Sequence, residues 1–276
     1  MAYGASTESA GSGWTHFDEM RSARRVQSRL LPSLVPRPGG LECAGLSLPA
    51  RGVGGDFYDF IEAAPGRVAL VLGDVSGKGV PAALMMATLQ ASLRSHYALA
   101  GGDLERLLVS VNRLFLECTA PEHYASLFVG EYHEASGRFR YANCGHVPPV
   151  LLRPGLRVER LRPTATVLGM FDRWTCGTRE IPLSPGDLLL LVSDGATEAT
   201  CAGGEAFGDE RLIAAIEAHR ELRAGALVRA ISDEAEAFSG GERADDLTIV
   251  AARVRGRRGA PVAACTAGGE NEPRRG

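Results

Sequence analysis

Four short acidic segments stand out because each places a carboxylate beside glycine or a second acid where a predicted strand begins or ends. They are Gly54-Gly55-Asp56, Gly73-Asp74-Val75, Ser193-Asp194-Gly195 and Ala244-Asp245-Asp246. Converging carboxylates repel one another unless a cation neutralises them, and all-oxygen ligands suit Mg²⁺ or Mn²⁺ rather than zinc. Two such ions about 3.5–4 Å apart can activate water and stabilise phosphoryl oxygens. The pattern therefore favours metal-assisted chemistry on a phosphate group.

Each segment also has a structural explanation, which the residues alone leave open. Asp-Gly pairs commonly form turns. Asp245 and Asp246 could cap a loop before a strand, and Asp59, three residues after Asp56, could be an exposed strand residue. Only the combination of the four segments favours a metal site.

Spacing argues against three other kinds of site. Gly77-Lys78 lacks the four-residue spacing of a P-loop, and Gly79 stands where that motif needs Ser or Thr. Phe57 occupies the place of the third glycine in the dinucleotide fingerprint that would begin at Gly52. The sequence contains no G-x-S-x-G nucleophile elbow. Nucleotide binding and Ser–His catalysis are therefore not predicted.

Apolar periodicity and the turn residues predict the elements that must position the acids. Helices are predicted over residues 17–31, 81–99, 103–118 with Asp103 as N-cap, 210–219 and 224–238. Strands are predicted over residues 41–48, 57–62, 67–75, 124–133, 138–143, 150–153, 157–161, 178–183, 187–193 and 247–254. Because hairpins join most consecutive strands, antiparallel sheets with helices packed outside are favoured over a doubly wound parallel sheet.

Composition limits the class of protein. The chain has 276 residues, 45% of them hydrophobic, and a formal net charge of −3, which favours neither nucleic acid nor an anionic membrane as a partner. Its longest aliphatic run, 188–192, is far shorter than the ~20 residues of a membrane span. The six cysteines form no C-x-x-C pair, and residues 1–13 lack the apolar core of a signal peptide. A cytoplasmic location is expected.

The order and surroundings of the acidic segments resemble the PPM family of metal-dependent protein phosphatases (protein phosphatase 2C-like), in the bacterial branch typified by stage II sporulation protein E. The resemblance covers about residues 24 to 254, and the ordered set is far more specific than any one motif. The matching segments are Gln27-Ser28-Arg29-Leu30-Leu31-Pro32, Val53-Gly54-Gly55-Asp56-Phe57-Tyr58-Asp59, Gly73-Asp74-Val75-Ser76-Gly77-Lys78-Gly79, Ala142-Asn143-Cys144-Gly145-His146, Gly186-Asp187 through Ser193-Asp194-Gly195, and Asp245-Asp246-Leu247-Thr248.

The resemblance implies an α+β fold, a four-layer αββα sandwich of two antiparallel β-sheets flanked by helices. It also implies two Mn²⁺ or Mg²⁺ ions at one end of the sandwich. Carried over by position, Asp74 would bridge both ions and the backbone carbonyl of Val75 would bind one of them. Asp194 and Asp245 would hold the other ion, and Asp56 would reach the cluster directly or through water.

Four further positions qualify this expectation. Asp246 stands where many relatives carry Asn, so it is a weaker ligand candidate than its neighbour. Arg51 lies five residues before Asp56, where family members can carry a phosphate-binding arginine; a solvated loop arginine is the alternative. Ser76 replaces the histidine thought to protonate the leaving group in eukaryotic relatives, so the general acid is unassigned. His146 is expected to be structural.

The implied activity is that of a protein serine/threonine phosphatase, in which a hydroxide held by two ions attacks phosphorus and no phospho-enzyme forms. In this branch the substrate is often a phosphorylated anti-sigma-factor antagonist. The helix before the domain often relays a signal at a dimer contact. Residues 17–31 match such a helix, and packing on its own domain is the equal alternative. The rival interpretations are a catalytically silent binding module of the same fold and an enzyme acting on a small phosphorylated molecule.

The predicted organisation has four parts. A disordered N-terminus (1–15) precedes a connector or regulatory helix (16–40), which leads into one phosphatase domain (41–254). A disordered tail (255–276) follows. A phosphorylated regulatory protein and a second copy of the chain are the expected partners; no nucleic acid or membrane is expected.

Overall fold

The computed structural model describes residues 16–32 and 40–256. Six helices occur in these residues: α1 (His16–Leu30), α2 (Val80–Leu99), α3 (Leu104–Cys118), α4 (Asp194–Thr197), α5 (Gly208–His219) and α6 (Ala224–Phe238). The ten strands are β1 (Leu41–Leu48), β2 (Asp56–Ala64), β3 (Arg67–Val75), β4 (Ala125–His133), β5 (Arg138–Cys144), β6 (Val150–Arg153), β7 (Arg157–Arg160), β8 (Arg179–Pro182), β9 (Leu188–Val192) and β10 (Leu247–Val254). The predicted disordered N-terminus 1–15 and residues 257–276 of the predicted tail 255–276 lie outside the described residues, and the proposed domain boundaries stay predictions.

The strands form two five-stranded sheets in which all paired neighbours are antiparallel. The first sheet, sheet A, has the order β1-β10-β9-β6-β7, and the second, sheet B, has the order β2-β3-β4-β5-β8. Sheet B contains the hairpins β2-β3 and β4-β5, whereas sheet A joins the first and last strands of the described chain. The antiparallel architecture predicted from the hairpin turns is confirmed.

Three apolar clusters define four layers. The first lies between the two sheets and contains Phe60 and Phe128 of sheet B together with Leu191 of sheet A. The second packs α2 and α3 on the outer face of sheet B, and the third packs α5 and α6 on the outer face of sheet A. Because both faces of each sheet are covered, a central strand such as β9 is buried along its whole length. The structure is thus the predicted αββα sandwich.

Helix boundaries follow from local chemistry. Pro81 lies in the first turn of α2, where its missing N–H costs no hydrogen bond. Asp103 caps α3 by accepting a hydrogen bond from the Arg106 backbone N–H at 3.0 Å, as predicted. The one-turn helix α4 was not predicted, because four residues are too few to show a helical period. Across residues 16–32 and 40–256, none of the helices combines the length and apolar composition needed to cross a bilayer.

Asp59 is buried, so the alternative of an exposed strand residue does not hold. Its side chain is 0% exposed in β2 on the face that α2 covers. Arg94 of α2 approaches both carboxylate oxygens, with Nε 2.5 Å from Oδ2 and Nη2 2.5 Å from Oδ1. Gln90 of the same helix lies 3.3 Å from Oδ2. A buried carboxylate needs such partners, so Asp59 joins α2 to sheet B.

Replacing Asp59 with Asn is expected to lower the free energy of unfolding by about 1–3 kcal/mol, because a bidentate charged contact becomes a single neutral one. Arg94 is half-exposed and can turn to water, which limits the loss. Urea denaturation measures the change. The matched control is Glu180→Gln, which breaks the exposed Arg138–Glu180 pair and should change stability far less. Equal effects of the two substitutions would contradict the assigned role.

Candidate metal centre

The predicted acids come together at one end of the sandwich, and both sheets contribute. Asp56 begins β2 directly opposite Asp74, one residue before the end of β3. In sheet A, Asp194 follows β9, and Asp245 and Asp246 precede its antiparallel neighbour β10. Antiparallel pairing places the end of one strand beside the start of the next. Residues far apart in sequence therefore share one edge.

Burial and mutual repulsion both raise the pKa values of these carboxylates. Burial, followed by the charges of Asp194 and Asp245, raises the pKa of Asp74 to about 7. Burial is also the main cause that raises the pKa of Asp56 well above its ordinary value, and the Asp74 carboxylate is the next. For Asp194 the pKa is raised by burial first and by Asp245 second. Carboxylates in such surroundings gain most from a bound cation.

Local geometry fits an oxygen-coordinated metal ion. Oδ2 of Asp56 is buried without a hydrogen-bond partner in the described part of the chain. A Cβ atom on Gly55 would lie 2.4 Å from the carbonyl oxygen of Val75, so glycine is needed for the β2 entry to approach that carbonyl. Asp56 and Val75 thus offer hard oxygen atoms at the crowded edge. These are the donors that Mg²⁺ and Mn²⁺ prefer.

The carboxylates of the described residues are not arranged as a complete set of metal ligands. Among residues 16–32 and 40–256, no group of three or more His, Cys, Asp or Glu side chains is arranged to hold an ion. Mg²⁺ commonly binds proteins through only one or two carboxylates and keeps several waters. Such shared, open coordination suits side chains that meet across two sheets.

Lys78 is a cation that the chain itself supplies to this edge. Its Nζ lies 2.8 Å from Oδ2 of Asp245 and donates to the Ala244 carbonyl at 2.7 Å. The other oxygen of Asp245 accepts the backbone N–H of Asp246 at 2.9 Å. Both oxygens of Asp245 are therefore engaged by protein groups. Nothing in the sequence indicated this pair beyond the lysine in the Gly77-Lys78-Gly79 segment.

The Asp246 carboxylate accepts hydrogen bonds from the backbone of the loop that enters β2. One of its carboxylate oxygens accepts the backbone N–H of Ala50 at 2.8 Å. The other accepts those of Gly55 at 2.7 Å and Asp56 at 3.4 Å. Both oxygens thus bind the loop that enters β2, which favours Asp246 as a positioning residue for Asp56; a direct ligand role for Asp246 stays a prediction.

Ser76 and His146 are both held in the scaffold. The backbone N–H of Ser76 donates to the Tyr124 carbonyl at 2.9 Å, and its hydroxyl accepts the Tyr124 N–H at 3.0 Å. His146 is buried, with Nδ1 2.7 Å from the Ser126 hydroxyl, and Asn143 accepts its backbone N–H at 2.8 Å. Burial lowers the pKa of His146 to about 4, so it is neutral at pH 7. The contacts support the structural role expected for His146.

Comparison with known proteins agrees with this arrangement. Residues 64–255 match the family Stage II sporulation protein E (SpoIIE), which is more than half of the chain. The chain belongs to the SpoIIE family. Phosphoserine phosphatase RsbU of Bacillus subtilis is 28% identical over 236 residues, which cover 85% of this chain and 70% of RsbU. Protein IcfG of Synechocystis is 28% identical over 259 residues, which cover 84% of this chain and 41% of IcfG.

A solved structure has a fold similar to that of this SpoIIE-family chain. The crystal structure of the RsbU and RsbW domains of Rv1364c from Mycobacterium tuberculosis matches with a TM-score of 0.67 and 28% identity. The match covers 82% of this chain and 63% of that one. The chain is therefore similar to a region of that two-domain crystal structure and to less than half of IcfG.

Gln27 is a functional candidate that sequence reasoning missed in this SpoIIE-family chain. Gln27 is a buried polar residue of α1, and its side-chain amide hydrogen-bonds to both the backbone N–H and the backbone carbonyl of Gly54. Nε2 donates to the Gly54 carbonyl at 2.6 Å, and Oε1 accepts the Gly54 N–H at 3.1 Å. Gly54 directly precedes the Gly55-Asp56 pair. The first helix is thus bonded to the loop that positions the candidate ligand.

Arg51 and a neighbouring cavity flank the centre. Arg51 is exposed on the same loop that Asp246 anchors, so its guanidinium is accessible to a ligand. The cavity measures about 240 Å³ and opens beside Asp245. Its charged lining residues include Lys78, Glu198, Glu236, Glu242 and Arg243.

Proposed function

We propose that this chain is a metal-dependent phosphatase that hydrolyses phosphoserine or phosphothreonine on a regulatory protein. The meeting of carboxylates from both sheets at one edge carries the proposal, because the pKa values of Asp56, Asp74 and Asp194 are all raised there. Membership in the SpoIIE family and similarity to RsbU, a phosphoserine phosphatase, support the reaction class.

The proposed site holds two Mn²⁺ or Mg²⁺ ions. Asp74 would be shared between them, with the Val75 carbonyl on one ion and Asp194 and Asp245 on the other, while Asp56 reaches the cluster directly or through water. When bound, such ions supply an activated water and neutralise the phosphoryl oxygens. The protein's own share is to hold these oxygens rigidly at strand ends, and the exposed Arg51 would orient the phosphate.

The proposed substrate is a phosphorylated protein of the anti-sigma-factor antagonist type. Similarity to RsbU, and to a structure that contains RsbU and RsbW domains, supports a signalling setting. A catalytically silent binding module is the second candidate, favoured by the engagement of Asp245 with Lys78.

The test is hydrolysis of a phosphoserine peptide and of sugar phosphates by the wild type and Asp194→Asn, with Mn²⁺ and with EDTA. Peptide hydrolysis that needs metal and falls at least ~100-fold in the variant is expected. Asp233→Asn, on the exposed face of α6, is the matched control and should stay active. Equal rates on sugar phosphates would indicate a small-molecule enzyme. A folded wild type that neither hydrolyses the peptide nor binds Mn²⁺ in calorimetry would indicate the binding module.

We also propose that α1 forms a homodimer contact. Its inner side bonds Gly54 through Gln27, while Phe17 and Val26 are 68% and 63% exposed. Light scattering should report a dimer for the wild type and a monomer for Val26→Glu, because a buried charge opposes association. Val109→Glu, at an exposed position of α3, is the control and should remain dimeric. A wild type that is monomeric at all concentrations would contradict the proposal.

A further inference from the structure

Two cysteines meet on sheet B, two strands from the strand that carries Asp74. Cys144 ends β5, and Cys176 lies in the connection between β7 and β8. This connection runs back along β5, where the Thr164 N–H donates to the Asn143 carbonyl at 2.8 Å. The Gly177 N–H then donates to the Thr164 carbonyl at 3.4 Å. The backbone thus brings Cys176 beside Cys144, and Cys176 packs against the apolar cluster that contains Cys144.

The two thiols have unequal surroundings. Cys144 is buried, whereas Cys176 is partly exposed. The hydrogen bond from Cys144 lowers the pKa of the Cys176 thiol, and the same contact with burial raises the pKa of Cys144. The thiolate is the reactive form of cysteine. Cys176 is therefore the accessible nucleophile and Cys144 is the neighbour that can attack it in turn.

The other described cysteines lack this arrangement. Cys43 is buried between the sheets, Cys118 is exposed at the end of α3, and Cys201 is partly buried after α4. All five cysteines in the described part of the chain are free thiols. Cys118 is thus the natural reference for simple exposure without a partner thiol.

We propose that Cys144 and Cys176 form a reversible disulfide when a hydroperoxide oxidises the chain. The Cys176 thiolate attacks the peroxide oxygen, the O–O bond breaks, and a sulfenic acid forms while water or an alcohol leaves. The Cys144 sulfur then attacks the sulfenic sulfur; the S–O bond breaks, and the departing hydroxide takes the Cys144 thiol proton and leaves as water. The two thiols together lose two electrons and two protons, and the peroxide is reduced. A dithiol reductant reverses the bond by exchange.

The bond would tie a surface connection to the sheet that carries Asp74. In the same connection, Leu168 pairs with Ala125, and Ala125 pairs with Val75 across β4 and β3. Met170 and Phe171 follow and are exposed. Oxidation would therefore restrain an exposed apolar segment one strand away from the candidate metal ligands.

The test is peroxide titration of the full chain followed by alkylation and trypsin digestion without reduction. Cleavage after arginine separates Cys144, on peptide 141–157, from Cys176, on peptide 174–179. We expect these two peptides to appear linked, two of the six thiols to be lost, and dithiothreitol to restore both. Under the same dose Cys118→Ser should still lose two thiols, whereas Cys176→Ser should lose none to an internal bond.

The readout is covalent and does not depend on phosphatase activity. Loss of the exposed Cys118 thiol before Cys176, with no linked peptide at any dose, would overturn the proposal. Oxidation of Cys176 to sulfinic acid without linkage to Cys144 would overturn it as well. Should Cys176→Ser fail to fold, peptide mapping of the wild type still decides between these outcomes.

Discussion

Asp74→Asn is expected to abolish metal-dependent phosphatase activity, with a fall in kcat/KM of at least ~1,000-fold, or ~4 kcal/mol of transition-state stabilisation. Asp74 lies opposite Asp56 in the sheet and is influenced by the charges of Asp194 and Asp245. It is thus the central member of the proposed ligand set. Asparagine keeps the shape of the side chain but removes the charge that a shared metal ion needs. Rates with saturating Mn²⁺ measure the effect, and Asp233→Asn is the control.

The same substitution should stabilise the metal-free protein above neutral pH. The pKa of Asp74 is raised to about 7 from an ordinary 3.8, so the folded chain holds this proton more tightly than the unfolded chain. The resulting stabilisation is present below pH 3.8 and is lost as the pH rises through 7. In EDTA at pH 8 we expect the variant to be more stable by ~1–2 kcal/mol, a figure reduced for solvent screening.

Mn²⁺ should reverse this order of stability. A ligand that binds only the folded state stabilises it in proportion to the logarithm of its concentration over Kd. The wild type should therefore gain stability with Mn²⁺, while Asp74→Asn gains little. Thermal unfolding at pH 4 and pH 8, with EDTA and with Mn²⁺, distinguishes the cases. A pH-independent stability change, or a variant that keeps its response to Mn²⁺, would remove Asp74 from the ligand set.

Local patterns predicted antiparallel sheets with helices packed outside, because hairpin turns and buried strands can be recognised in short stretches of sequence, whereas the four-layer sandwich was implied by the family resemblance. The turn at Gly66 separates β2 from β3 at the predicted position, and the all-leucine and valine strand β9 is buried throughout. Each carboxylate of the centre was located by its place at a strand end. That signal depends only on neighbouring residues, so it can be recognised without knowledge of the fold.

Asp59 shows why other assignments failed. Alternation along β2 separates Tyr58 and Phe60 from Phe57 and Asp59, and usually one face of such a strand meets water. Here sheet A covers one face and α2 covers the other. The partner that makes burial of the carboxylate tolerable is Arg94, 35 positions later. No local pattern contains that pairing.

The roles of the individual acids could not be predicted from the sequence either. Asp246 and Asp245 are adjacent, yet one binds backbone N–H groups about 190 positions earlier and the other faces Lys78. A ligand and an amide acceptor require the same residue type. Only the tertiary fold decides which backbone groups lie within reach, so the two acids can be told apart by geometry and not by motif.

Asp246→Ala is expected to lower the stability of the fold by ~3 kcal/mol and to weaken metal binding by ~10–100-fold without removing an ion. The carboxylate holds the N–H groups of Ala50 and Gly55 at 2.8 and 2.7 Å, and alanine leaves these donors unpaired. The loop would then no longer hold Asp56 in place. Asp246→Asn keeps one acceptor oxygen, so its losses should lie between those of the wild type and alanine.

Calorimetric titration with Mn²⁺ separates the two roles that an aspartate at this position could have. A positioning residue changes the affinity and leaves the number of bound ions the same, whereas a ligand changes the number. Asp245→Ala is the matched comparison, because Asp245 is more exposed and its side chain pairs with Lys78 and with the Asp246 backbone N–H. Asp245→Ala should bind fewer Mn²⁺ ions, while the stability of its fold should change little. If Asp246→Ala instead binds one ion fewer at unchanged stability, Asp246 is a ligand and the loop is held by other contacts, among them the clamp of Gln27 on Gly54.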